Sequence, residues 1–227
     1  MCGRYRLSRH KQVLLERFGL DDDPDLDWSP RYNIAPAQLV PAIRQDPSAP
    51  RRQLSLIRWG LIPFWAKDPK IGYTLINARA ETALAKPAFR DAMKKRRCLI
   101  PADGFYEWQK TTSGKQPYCF TVGDNDLFAF AGIWERWKDP EGKLIETCSI
   151  LTTSPNGLCR EVHDRMPVIL PPDSYDLWLD PGLTDVAAIA EMLKPFDDAA
   201  MDKYPVSTRV NTVQNDDAAC AERTQHA

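Results

Sequence analysis

The 227-residue chain has no apolar run near the roughly 18 residues that a membrane-spanning helix needs, and no basic-then-apolar segment opens it. Both absences predict a soluble, cytoplasmic protein with no membrane partner. Its six cysteines (Cys2, Cys98, Cys119, Cys148, Cys159 and Cys220) include no C-x-x-C pair, so they are expected to be reduced thiols and not a disulfide framework. Histidine is scarce: only His10, His163 and His226 occur. Cys159 and His163, four apart, are too few ligands to specify zinc. No metal and no cofactor are expected. Excess charge of one sign is missing too. The net charge of −1 excludes a broadly basic nucleic-acid surface and leaves DNA binding only to arginines gathered at one place. Residues 1–170 hold 26 Lys/Arg against 20 Asp/Glu, and residues 171–227 hold 4 against 11; +6 and −7 sum to the observed −1.

What is present is ordinary globular usage, 43% hydrophobic and 27% charged, which excludes a disordered chain. Ser8 is positioned to cap a short helix carrying Val13, Leu14 and Phe18 and stopped by Gly19. The acidic, proline-broken stretch 21–30 reads as a loop. Strand patterns follow at 38–44, 53–59, 98–100, 105–109, 118–122, 127–134, 145–152 and 166–170, with turn sequences at 111–115 and 139–143. Helical patterns occupy 80–96, interrupted at Pro87, then 173–179, then 185–193 with Thr184 as the expected cap. The segment 205–213 is expected to return as an edge strand. Antiparallel strands with helices at both ends predict an α+β fold. No composition break marks a second domain, so residues 1–227 are read as one domain, with a core over 2–213 and a flexible tail over 214–227.

Several residues have chemical potential, each beside a plainer reading. Removal of Met1 would leave Cys2 with its amine and thiol on one carbon frame, a pair that captures an aldehyde first as an imine and then as a five-membered thiazolidine. An α-amine titrates near about 7.7–8.0, so far more of it is neutral at pH 7 than of a lysine. The ring closure is intramolecular. The plainer reading is that a cysteine in second place is accidental. Asn77 and Arg79 stand two apart, as do His163 and Arg165; in extended chain each pair would share a face, setting a hydrogen-bonding group beside an arginine fork for phosphate. Alternatively Asn77 ends a strand, Arg79 pairs with Glu81, and His163 is a loop residue. Glu107 interrupts Phe105-Tyr106-Glu107-Trp108. There it is either a desolvated acid–base group or the polar face of an amphipathic strand. Trp59 and Trp65 either stack on bases or pack in the core.

Seven motifs occur in order along nearly the whole chain: MCGRY at 1–5, YNIAP at 32–36, RWGLIPFW at 58–65, INARAET at 76–82, CLIPADGFYEW at 98–108, VHDRMPVIL at 162–170 and YPVSTRVN at 204–211. With them the chain resembles the SRAP family, the SOS-response-associated peptidase proteins that shield abasic sites in single-stranded DNA. The resemblance implies an SRAP-type domain with an antiparallel, barrel-like β core flanked by helices. It implies Cys2 as the nucleophile that bonds the abasic sugar, and Asn77 as the group that orients the amine and ring-opened sugar. Glu107 becomes the general acid/base, and His163 an assistant to imine formation beside the sugar oxygen. Arg79 and Arg165 would bind flanking phosphates with help from Arg4, while Asn33 and Trp65 lie on loops bordering the DNA. The implied partner is single-stranded DNA, or a single-strand/duplex junction, containing an abasic site. The protein would act as a monomer and be nucleoid-associated when bound.

Three functions compete on this reading. One is covalent capture of an abasic site in the DNA damage response, with weak abasic-site lyase activity as a side reaction. The second is a thiol peptidase built on Cys2, His163 and Glu107, a hydrolase whose first substrate would be the chain's own Met1. The third is single-strand binding without chemistry. An N-terminal thiol whose own amine is exposed suits aldehyde capture better than peptide cleavage, where the nucleophile is ordinarily an internal cysteine.

Overall fold

A computed structural model of the chain describes residues 2–20, 26–45, 51–112 and 114–224. The acidic stretch 21–25 and the turn residue at 113 lie outside the described residues. In chain order the elements are β1 (Tyr5–Leu7), α1 (Lys11–Phe18), β2 (Arg31–Ile34), β3 (Leu39–Gln45), β4 (Arg52–Trp59), β5 (Asn77–Arg79), α2 (Ala80–Ala83) and α3 (Arg90–Lys95). There follow β6 (Arg97–Ala102), β7 (Gly104–Thr111), β8 (Gly114–Val122), β9 (Phe128–Lys138), β10 (Leu144–Thr153), α4 (Gly157–Arg160), β11 (Met166–Pro167) and β12 (Ile169–Leu170). The chain ends with α5 (Tyr175–Leu179), α6 (Val186–Met192) and β13 (Met201–Pro205). The fold is α+β, with a barrel core.

Five strands close on themselves in the order β10-β4-β3-β6-β9 and back to β10. Closure leaves these strands no unpaired edge. All the barrel pairings are antiparallel except one: β4 runs parallel to β10, with Arg58 opposite Thr147 and Trp59 opposite Cys148. The chain leaves β4 through Gly60, whose N–H donates to the Cys148 carbonyl at 2.8 Å. Gly60 has φ +127, and a Cβ there would lie 2.7 Å from the Gly72 carbonyl oxygen, so this exit requires glycine. A second, open sheet has the order β13-β8-β7-β1-β2. It meets the barrel through rings: Tyr5 packs edge-on to Trp59 at 5.4 Å and to Phe130 at 5.7 Å, and Phe105 stacks on Phe120 at 4.9 Å and meets Phe130 at 6.1 Å.

Local departures from the sequence reading have simple causes. α1 does present Leu14, Leu15 and Phe18 to the core and does end at Gly19, with φ 59. Ser8 is not its cap, because both its N–H and its hydroxyl donate to the buried Asp103 carboxylate, at 2.9 and 2.5 Å, and His10 takes the cap position instead. Asp185, one residue beyond Thr184, caps α6 by accepting from Ala187 and Ala188. The helical reading of 80–96 resolves into α2 and α3, separated around Pro87. Arg97, buried, is more than a cation near the end of α3. It donates to the Met93 and Lys94 carbonyls there and to the carbonyls of Trp178, Asp180 and Leu183 across the interface, closing two helix ends with one guanidinium.

The C-terminal region differs most. The returning strand is Met201–Pro205, paired with β8, rather than 205–213; residues 208–211 form a 3₁₀ turn instead. Residues 214–224, expected to stand free as a tail, are packed against the body. The Asp216 carboxylate accepts from the Tyr32 and Asn33 backbone N–H groups at 2.6 and 2.7 Å and also pairs with Arg31. Cys220 is buried, and Val206 bridges to Arg223. Two backbone donors of β2 and one guanidinium meeting a single carboxylate are what hold this segment down.

Candidate active site

Cys2 precedes β1, which lies antiparallel to β7 with Tyr5 opposite Phe105. The Tyr106 N–H donates to the Arg4 carbonyl at 2.9 Å, so the chain continues that register backwards and brings Cys2 alongside Glu107 and Trp108. β10 supplies the other wall. Its last residues pair with β5, Ile150 opposite Asn77 and Thr152 opposite Arg79, and also with β11, Thr153 opposite Met166. Asn77 and the loop carrying His163 therefore come to the same end of one strand. Asn77 Nδ2 donates to the Cys2 carbonyl at 2.8 Å, which orients the amide and leaves its Oδ1, also buried, without a donor among the described residues. His163 Nε2 stands 4.0 Å from Glu107 Oε2. The four residues named from the sequence as chemical do converge.

Their electrostatics follow from burial. Cys2 is fully buried, which pushes its thiol well up, and the nearby Glu107 charge pushes the same way. Burial raises Glu107 to about 7, far above an ordinary carboxyl. His163 is lowered, by burial first and by the positive chain terminus second. At 4.0 Å, with one partner raised and the other lowered, the His163–Glu107 contact is a neutral imidazole facing a carboxyl, not a standing salt bridge. The tautomer is set by two contacts that pull in opposite directions. Nδ1 accepts from the Arg165 backbone N–H at 3.0 Å, while Asp164 Oδ1 also lies 3.0 Å from Nδ1. A backbone amide keeps its proton, so its bond selects the tautomer with the lone pair on Nδ1 and Nε2–H toward Glu107, while the Asp164 carboxylate, 3.0 Å from Nδ1, opposes that choice by favouring a protonated imidazole. A cavity of about 550 Å³ opens beside His163, lined by Trp108, Gln109, Lys110, Glu161 and Asp164 among others.

The residues expected to contact DNA divide. Arg79 is exposed, and its guanidinium has no hydrogen bond or ion pair among the described residues. Arg165 is engaged by Glu81, through two bonds of 2.6 and 2.9 Å; Arg79 makes no close ion pair with Glu81 among the described residues, although its charge also helps to hold that carboxyl down. Arg4 is half-buried. Its Nη1 donates to Asn33 Oδ1 at 2.8 Å and to the Val210 carbonyl at 2.6 Å, and its guanidinium lies 5.8 Å from the Trp108 ring centre. Asn33 is no border residue: it is fully buried, and its amide donates to the carbonyls of Val210, Thr212 and Asn215. It supports Arg4 from beneath, since an asparagine so completely bonded has no group left for a ligand. Trp65 stands 48% exposed on the loop after β4 beside an equally open Phe64, whereas Trp59 is core, its ring N–H bonded to the Ile76 carbonyl at 2.9 Å.

The sequence reading missed two supports. Glu81 meets Arg165 across 84 residues and Asp216 meets Asn33 across 183, and no local signal announces either pairing. Asp164 was visible by adjacency to His163. Among the described residues no group of three or more His, Cys, Asp or Glu is placed to hold a metal ion, and no helix is long and apolar enough to cross a membrane.

Known proteins resemble this chain over nearly its whole length. A crystal structure of a protein from Bacteroides thetaiotaomicron superposes with a TM-score of 0.89 at 32% identity, covering 98% of this chain and 100% of that one. The Bacillus subtilis protein named abasic site processing protein YoqW is 45% identical over 217 residues, 95% of this chain and 96% of its own length. The chicken abasic site processing protein HMCES is 32% identical over 260 aligned positions, 97% of this chain and 77% of its own length. Residues 1–213 match the family described as SOS response associated peptidase (SRAP), and the chain belongs to that family.

Proposed function

We propose that this protein captures abasic sites in single-stranded DNA by forming a thiazolidine between Cys2 and the ring-opened sugar. The reading rests on one observation above the others: a second-position cysteine fully buried beside a buried carboxyl, Glu107. Hydrolysis of the Met1–Cys2 bond frees the α-amine. Asn77 Oδ1, buried and without a donor among the described residues, is the acceptor available to orient that amine. The amine adds to the sugar aldehyde, water leaves as the imine forms, and the thiol adds across the C=N bond. One water is lost in all. Glu107, half-protonated near pH 7, gives a proton to the departing hydroxyl and takes one from the thiol; His163 Nε2–H stabilises oxygen on the same side. Relatives named as abasic site processing proteins support the substrate class. Arg79, exposed and unpaired among the described residues, is the phosphate ligand, and a one-to-one adduct requires only a monomer.

The thiol-peptidase alternative is disfavoured by the same electrostatics. A cysteine that cleaves peptides needs a lowered thiol pKa, and here burial and the Glu107 charge both raise it. Aldehyde capture begins at the amine instead, so the thiol need only be delivered afterwards.

The test is direct. Protein lacking Met1 is mixed with a single-stranded oligonucleotide holding one abasic site and analysed by denaturing gel and intact mass. A species that withstands denaturant, lighter than the summed masses by one water, is expected. Cys2→Ala yields no such stable product; an equally abundant one would overturn the assignment.

A further inference from the structure

Arg165 is an unusual phosphate ligand because its donors are already committed. Nη1 and Nη2 each donate to a Glu81 oxygen, and Nη2 donates as well to the Thr152 carbonyl at 2.6 Å. Nε is buried without a hydrogen-bond partner, and the side chain is only 15% exposed. Two of its five N–H donors stay uncommitted, the buried Nε–H and one on Nη1. The clamp ties three elements together: Glu81 in α2, directly after the strand carrying Asn77; Thr152 on β10; and the loop that carries His163 into β11. The same Arg165 residue supplies, through its backbone N–H, the bond that holds His163 Nδ1.

We propose that Glu81 is a positioning residue: its carboxylate holds the Arg165 fork, the fork holds the loop, and the loop's N–H keeps His163 with Nε2–H directed at Glu107. Fork-to-fork pairing restricts Arg165 in distance and plane at once, which a lysine or a single hydrogen bond would not do. The proposal deepens the capture reading and rests on it for its kinetic consequence.

The groups facing His163 are Glu107 from β7, Asp164 on its own loop, the chain terminus, and Lys110 and Glu161 across the adjoining cavity. None of these changes in Glu81→Gln, but the variant also leaves the Arg165 charge unpaired two residues from His163, so the tautomer, and not the pH profile alone, reports the clamp. The experiment compares wild type, Glu81→Gln and Glu81→Asp in two ways. Nitrogen-15 imidazole NMR on the free protein reads the His163 tautomer across pH, without DNA. Adduct formation is then timed from pH 5.5 to 8.5, alongside binding to an intact single strand. Wild type is expected to show Nδ1 bare and Nε2 protonated. Glu81→Gln is expected to show mixed tautomers, a displaced pH profile and a rate roughly ten-fold lower, with strand affinity within about two-fold. Glu81→Asp, which keeps the charge on a shorter arm, should recover part of both signals. Glu81→Gln with the wild-type tautomer and profile overturns the proposal. So does a variant that binds the strand more tightly and reacts faster, since Glu81 would then be a competitor for the phosphate. If wild type forms no adduct the capture reading fails, and the imidazole spectra still decide the role of Glu81.

Discussion

Two buried regions of this molecule lie next to each other and are held in different ways. Where barrel and open sheet meet, Tyr5, Trp59, Phe105, Phe120 and Phe130 fill the interface with rings at 4.9–6.1 Å. Nearby, Cys2 before β1 and Glu107 on β7 meet Asn77 of β5 and His163 of the loop before β11 in a seam of polar groups, buried at Cys2 and Glu107 and open to the adjoining cavity at His163. The ring interface gains from burial itself. The seam loses by it at neutral pH through Glu107, whose carboxyl burial raises to about 7; the Cys2 thiol is pushed up as well and simply stays protonated. Stability and reactivity are thus assigned to adjacent stretches of β1 and β7, one turned toward rings and the other toward charge.

Substitutions on either side sharpen that contrast. The largest effect on folding should come from Phe130→Ala, which removes a ring that touches both sheets; a loss of about 3–5 kcal/mol in urea unfolding is expected. A loss under about 1 kcal/mol would mean the rings do not hold the sheets together.

Glu107→Gln should act in the opposite direction. Below its ordinary value of 4.5 the carboxyl is protonated whether the chain is folded or not. Between there and about 7 the unfolded chain ionises it while the fold keeps the proton, so native stability falls with rising pH and the loss is complete above 7. The variant escapes this and should gain up to about 3 kcal/mol over wild type at pH 8, with little difference at pH 4.5. Its adduct formation should be slower by roughly 10²-fold. Equal stability at both pH values would show that the carboxyl is not strained by burial.

Asp216→Ala tests the polar support beneath the seam. It leaves the Tyr32 and Asn33 N–H groups without their acceptor and should cost about 1–3 kcal/mol in unfolding measurements. No change would mean that the C-terminal segment merely rests on β2.

The smallest effect on folding, within about 0.5 kcal/mol, is expected for the exposed Arg79→Gln. Its consequence belongs to binding: fluorescence anisotropy with a single strand should show weaker affinity and a salt slope shallower by about 0.7. An unchanged slope would remove Arg79 from the phosphate path.

Much of the fold was legible because its signals are local. The 139–143 turn joins β9 to β10 as its Asp and Gly suggest, Gly19 ends α1 in the left-handed region, and Pro87 divides a helical stretch. The motifs also named four candidate residues, Cys2, Asn77, Glu107 and His163, that the fold brings together. What was not legible lies in pairings between distant segments. Ser8 has the chemistry of a cap, but a buried aspartate from another segment offers it two hydrogen bonds. Asn33 carries a polar side chain in a motif expected from the resemblance to border DNA, yet the returning C-terminal segment covers it with three carbonyls.

By itself the sequence determined most of the succession of strands and helices and, through its ordered motifs, the family and the candidate nucleophile Cys2, because periodicity, turn chemistry and short motifs are written in neighbouring residues. Tertiary structure alone decided that five strands would close into a barrel, that Arg165 would face Glu81 while Arg79 faced solvent, and that burial would bring Glu107 to neutrality. Each of those outcomes depends on which distant groups share a low-dielectric space, and a one-dimensional pattern carries no measure of that distance.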